Sequence, residues 1–70
     1  MTREQHLNWC KERALKYVDN GDLPSAVTSM GSDLTKHPET ASTPAMLMML
    51  GMMEIQNGPQ AVRRWIEGFN

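Results

Sequence analysis

The sequence predicts an all-α fold: four short helices, arranged as two antiparallel hairpins in a small orthogonal bundle, within one domain spanning residues 1–70. Three observations point to it. Apolar residues recur at three- and four-residue spacing in successive segments. Cap and breaker residues punctuate those segments at Thr2, Gly21-Asp22, Pro38 and Asn57-Gly58-Pro59. No stretch alternates apolar and polar residues with the period of two that a half-buried strand requires.

The first helix is expected from about Arg3 to Asn20. Thr2 followed by Gln5 fits a capping box, in which hydroxyl and amide each satisfy an orphan backbone N–H. Leu7, Cys10, Ala14 and Val18, with Tyr17, share one face, and Glu12 and Lys16 stand at the favourable i,i+4 spacing. Gly21 supplies the left-handed residue that stops a helix. The second helix is expected from Leu23 to Lys36, with Asp22 as N-cap and Pro24 in the tolerant first turn. Its stripe is Leu23, Ala26, Val27, Met30 and Leu34. Gly31 weakens the interior by about 1 kcal/mol relative to Ala, which suggests close approach to a neighbouring helix. Pro38 closes the segment by disfavouring helix at His37.

A polar connection, Glu39 to Thr43, leads to Thr43 as N-cap and a third helix from Pro44 to about Gln56. This segment carries Ala45, Met46, Leu47, Met48, Met49, Leu50, Met52, Met53 and Ile55, with almost no polar face. A helix apolar all round reads as buried, so it is expected at the centre of the bundle, with one stripe against the other three helices and the rest meeting solvent or another chain. The last helix runs from Pro59 to about Glu67, with Val62, Trp65, Ile66 and Phe69 on one stripe.

Composition bounds the function. Charged residues are 21% of the chain and the formal charge is -1, which argues against a DNA-coating protein but leaves room for a local basic patch. No apolar run reaches the roughly 18 residues of a membrane span, and the polar start, Met1 to His6, reads as lacking a secretory leader. A single cysteine fits a reducing compartment, so a cytoplasmic setting is expected. Chains this small draw only ~3–5 kcal/mol from one core, and oligomerisation is the staple this composition favours.

Ala14, Tyr17, Gly21-Asp22, Ala26, Met30 and Pro38 have the spacing of a tetratricopeptide repeat, and residues 7 to 40 resemble one such helical hairpin. Cys10 stands where the family pattern has tryptophan, and Asp33 where it has a small residue. A second unit is partial: Leu47, Leu50, Gly51 and Gly58 fall near the offsets, but Glu54 replaces the aromatic. The resemblance implies protein binding and no catalytic residue. The alternative is simply two antiparallel helices packed around a Gly-Asp turn. Further stretches are similar to small uncharacterised helical proteins of bacteriophages and prophages: Trp9-Cys10-Lys11, Arg13-Ala14-Leu15, Tyr17-Val18-Asp19, Gly21-Asp22-Leu23, Ser32 to Thr40 and Ile66 to Asn70. That likeness implies a short accessory gene product that binds a host macromolecule, in the cytoplasm of a bacterium or an infected host cell.

Four constellations were weighed for chemistry. His6 and Cys10, at i,i+4, have metal-ligand spacing, and His37 could be a third ligand, but no fourth is evident. A packed thiol beside a helix-surface histidine is the plainer reading, and it also outweighs Cys10 as a nucleophile. Asp33 and His37, with Glu39 close, could share a proton, but a surface hydrogen bond near a helix C-terminus is the ordinary outcome. Arg63, Arg64 and Trp65 combine cations with an aromatic, as a nucleic-acid contact would; Arg3, Lys11, Arg13 and Lys16 could enlarge that patch, and Glu4, Glu12 and Asp19 dilute it.

The expectation is therefore a non-enzymatic binding protein with no cofactor, metal or membrane partner. It would act by protein–protein interaction, self-association included, through Met46, Met49, Met52, Met53, Trp65 and Phe69. The alternative is a nucleic-acid-contacting protein using Arg63 and Arg64.

Overall fold

The computed structural model describes residues 2–37 and 45–69, so the predicted Thr43 cap, the Glu39–Thr43 connection and Pro38 lie outside the described residues. Four α-helices follow one another: α1 (Arg3–Asp19), α2 (Leu23–Leu34), α3 (Ala45–Glu54) and α4 (Pro59–Glu67). A short 3-10 turn, Ile55–Asn57, links the last two, and no strand occurs among the described residues.

The local chemistry sets these limits. At the start of α1, Gln5 N–H donates to Thr2 Oγ1 at 3.1 Å while Thr2 N–H donates to Gln5 Oε1 at 3.0 Å, so two orphan donors are satisfied reciprocally. Gly21, at φ 78°, reverses the chain, and Asp22 Oδ1 accepts from Ser25 N–H at 3.2 Å to open α2. Thr35 donates its hydroxyl to the Ser32 carbonyl at 2.7 Å, which draws off an end-of-helix acceptor and leaves α2 ending at Leu34, before Lys36. The regular part of α3 stops at Glu54, two residues early, because the chain tightens into the 3-10 turn before Gly58, at φ 97°, releases it.

Contacts fix the packing. Asp22 N–H, at the start of α2, donates to the Tyr17 carbonyl near the end of α1 at 2.9 Å, and His6, near the start of α1, meets Asp33 near the end of α2, so α1 and α2 are antiparallel. Lys11 reaches the carbonyls of Glu67 and Phe69, and Arg63 pairs with Asp19, so α4 also runs against α1. The core is Leu7, Cys10, Ala14 and Val18 from α1, Ala26, Val27, Met30 and Leu34 from α2, and Val62 and Ile66 from α4. These follow the stripes read from the sequence, with Tyr17 exposed at the rim and Leu23, Trp65 and Phe69 only half-buried against the core.

The expectation of a central third helix is overturned. Only Gly51 of α3 is buried. The three other helices close the core between them, and α3 lies on the outside, seated at two points. Met48 lies over Gly31, where a Cβ would stand 2.7 Å from its Sδ. Trp65 lies over Gly51, where a Cβ would stand 2.5 Å from the indole. Among the described residues, no helix is long and apolar enough to cross a membrane.

Candidate functional site

The seat of α3 divides it lengthwise. Leu47, Met48, Gly51 and Ile55 turn toward the bundle. The Trp65 indole N–H donates to the Leu47 carbonyl at 3.0 Å, and its ring meets Phe69 edge-to-face with centroids 5.1 Å apart. Residues i, i+3, i+4 and i+7 on the other side are Met46, Met49, Leu50 and Met53, with relative exposures of 71%, 66%, 44% and 62%; Met52 widens the stripe at 52%. That spacing is a helix-packing stripe, and no charged residue precedes Glu54 along the helix.

The six residues expected at an interface thus separate. Met46, Met49, Met52 and Met53 share the exposed side of α3. Trp65 and Phe69 are half-buried behind it and hold the helix in place. Beside the stripe, Leu50, Glu54, Gln60, Ala61, Arg64 and Trp65 line an open groove of about 590 Å³ between α3 and α4. Arg63 points elsewhere: its Nη2 is 2.7 Å from Asp19 Oδ1. The two arginines are therefore tied to different surroundings, one to an α1 carboxylate and one to the rim of this groove.

A second site was missed by sequence reasoning. Asp33 is 2% exposed, not on the surface. Its Oδ2 accepts from Arg13 Nε at 2.9 Å and from Ser29 Oγ at 3.4 Å, and its Oδ1 accepts from Lys36 Nζ at 3.0 Å. Both oxygens are committed to these donors, which corrects the expected surface pairing with His37. His37 instead stacks on His6, with ring centroids 5.1 Å apart. His6 is buried as well, at 5% exposure, which corrects its reading as a helix-surface histidine. Trp9 covers the cluster, with the Arg13 guanidinium carbon 4.8 Å and Lys36 Nζ 5.6 Å from its ring centroid. One signal was available: Asp33 follows Met30 by three residues on the apolar stripe, and an acid there must find cations.

This geometry also settles the roles of His6 and Cys10. His6 Nε2 lies 2.8 Å from the Asp33 carbonyl, which can only accept, so Nε2 carries the proton. The same nitrogen is 3.5 Å from Cys10 Sγ and has no lone pair with which to take the thiol proton. Burial first, then the Asp33 carboxylate, push the Cys10 thiol up from its ordinary range. Cys10 packs as the small apolar residue the stripe predicted. Among the described residues, no group of three or more His, Cys, Asp or Glu could hold a metal ion.

No protein-family model, curated protein sequence or solved structure matches this chain.

Proposed function

We propose that the chain is a small helical binding protein that acts by protein–protein interaction, and that the outer stripe of α3 is its contact surface. The observation that carries this reading is the exposure of Met46, Met49, Leu50 and Met53 on a helix whose other side is already seated on Gly31 and Trp65. Methionine side chains are unbranched and adapt to the surface they meet. Burying them is favourable by about 25 cal/mol per Å², and ten residues of helix leave that stripe facing water.

A second copy is the first occupant to test. The stripe is uncharged and the same on each copy, which suits a two-fold pairing in which each α3 packs on its partner. A ten-residue helix about 15 Å long and about 10 Å across offers a face of roughly 150 Å², well short of the ~800 Å² per partner of a standard interface. Such a pairing is weak and concentration-dependent. The resemblance to small phage and prophage proteins supports reading the chain as an accessory product of such a genome. Arg63 is drawn to Asp19 on α1 while Arg64 lies at the rim of the α3–α4 groove, so the two cations do not form one patch, which weighs against the nucleic-acid alternative.

Sedimentation velocity over rising concentration tests the proposal on the native chain and on a Met46→Gln, Met49→Gln, Met53→Gln variant. Glutamine keeps length and helix propensity while making the stripe polar. The native chain should shift toward dimer at tens of micromolar, while the variant stays monomeric. A native chain that remains monomeric throughout, or a variant that pairs equally well, contradicts the reading.

A further inference from the structure

We infer that the groove between α1 and α2 binds a small tetrahedral oxyanion, either free phosphate or a phosphate monoester. It lies away from α3 and does not depend on the proposal above. The groove is open and has a volume of about 370 Å³, and its lining includes Arg13, Lys36, Tyr17, Ser25, Ser29 and Ser32, with the buried Asp33. Small-molecule sites are typically about 300–1,000 Å³.

Charge is unbalanced there. One buried carboxylate faces two cations. Arg13 reaches Asp33 through Nε alone, and a guanidinium has further N–H donors on its terminal nitrogens. Lys36 gives Asp33 one of the three N–H donors of its ammonium. Both side chains also lie against the Trp9 ring and are about half exposed, so a ligand can reach them in part. Asp33 itself is satisfied and covered, and it holds the two cations at a fixed separation.

Asp22 stands outside the groove lining, where it caps Ser25 N–H at the start of α2. Ser29 gives its hydroxyl proton to Asp33, which leaves Ser25 and Ser32 as the serine hydroxyl donors along one wall. A tetrahedral oxyanion matches this set: it accepts from guanidinium, ammonium and hydroxyl donors at once, and it offsets the excess positive charge. A shallower concavity of about 210 Å³, walled by Arg13, Lys16 and Tyr17, adjoins the groove. It offers the Tyr17 ring to the organic part of a monoester.

Titration of the isotopically labelled full chain with inorganic phosphate, inorganic sulfate and a nucleoside 5′-monophosphate, followed by NMR, tests this. Saturable shifts should appear at the amides of Ser25, Ser29 and Ser32 and at Arg13 Nε–H. Phosphate and sulfate binding as tightly as the nucleotide identifies a free-oxyanion site; tighter nucleotide binding, with Tyr17 ring shifts, identifies a monoester site. Lys36→Gln, which leaves the Arg13–Asp33 pair intact, should weaken binding about tenfold. Ser32→Asp places a like charge in the groove and should abolish binding while the circular dichroism spectrum stays native. Shifts that never saturate into the millimolar range, or that persist in both variants, overturn the inference.

Discussion

Trp65 occupies the space that a side chain at Gly51 would need: a Cβ there would stand 2.5 Å from Cζ2 and 2.7 Å from Cε2. The indole also donates to the Leu47 carbonyl, one turn back along α3. This contact sets which side of α3 faces the bundle and therefore which side is left exposed.

Gly51→Ala should consequently lower stability despite alanine's better helix propensity. The propensity gain is about 1 kcal/mol, and forcing a rigid ring out of a packed seat costs typically 1–3 kcal/mol. Gly31→Ala is the contrast, because its neighbour is the flexible Met48 thioether, which can swing aside. That variant should be neutral or stabilised by up to about 1 kcal/mol. Urea unfolding followed by tryptophan fluorescence distinguishes the two; equal destabilisation would mean that α3 is seated differently.

Asp33→Asn keeps the shape but removes the charge that Arg13 and Lys36 share. It should cost about 1.5–3 kcal/mol, the scale of hydrogen bonds to a charged group. Arg13→Gln alone should cost less, since Lys36 remains beside the carboxylate. Arg13→Gln with Lys36→Gln should cost more than the sum of the singles, because a buried charge is then left without a partner. Simple additivity in denaturant titrations would show that the two cations act independently.

Ala14 and Ala26 are both fully buried in the core that α1 and α2 share. Ala14→Leu or Ala26→Leu should each destabilise by roughly 1–3 kcal/mol through overpacking. If both melt like the parent, the register of the first hairpin is wrong.

Cys10 gives a pH dependence with a definite sign. Its thiol ionises above 9.0 in the fold, pushed up by burial and then by the Asp33 carboxylate. The unfolded chain ionises at the ordinary value, so the stabilisation is full below that value. It is lost as the pH rises from there through the folded-state value. Stability should therefore fall more steeply above pH 9.0 in the native chain than in Cys10→Ala. Lysine titration is common to both, so parallel alkaline slopes would count against a desolvated thiol.

Much of this fold could be read locally. The Thr2–Gln5 box, the Gly21-Asp22 reversal and the stripes of α1, α2 and α4 are written within a few residues of where they act. The position of α3 is not. A helix without a polar face carries no periodic signal of which side turns inward, and the answer lies in Trp65, Gly51, Met48 and Gly31, which meet only after folding. The Asp33 cluster was hidden for a related reason: the charge is visible on the stripe, but Arg13 comes from another helix, 20 residues away.

The most direct test of an open methionine stripe is solvent paramagnetic relaxation of isotopically labelled methionine methyl groups, recorded against protein concentration. In dilute solution, the methyls of Met46, Met49, Met52 and Met53 should relax strongly, while Met30, fully buried, should be protected throughout. As concentration rises through tens of micromolar, Met46, Met49 and Met53 should become protected together as copies pair. Methyls already shielded in the dilute monomer, or equally exposed at every concentration, would contradict the account.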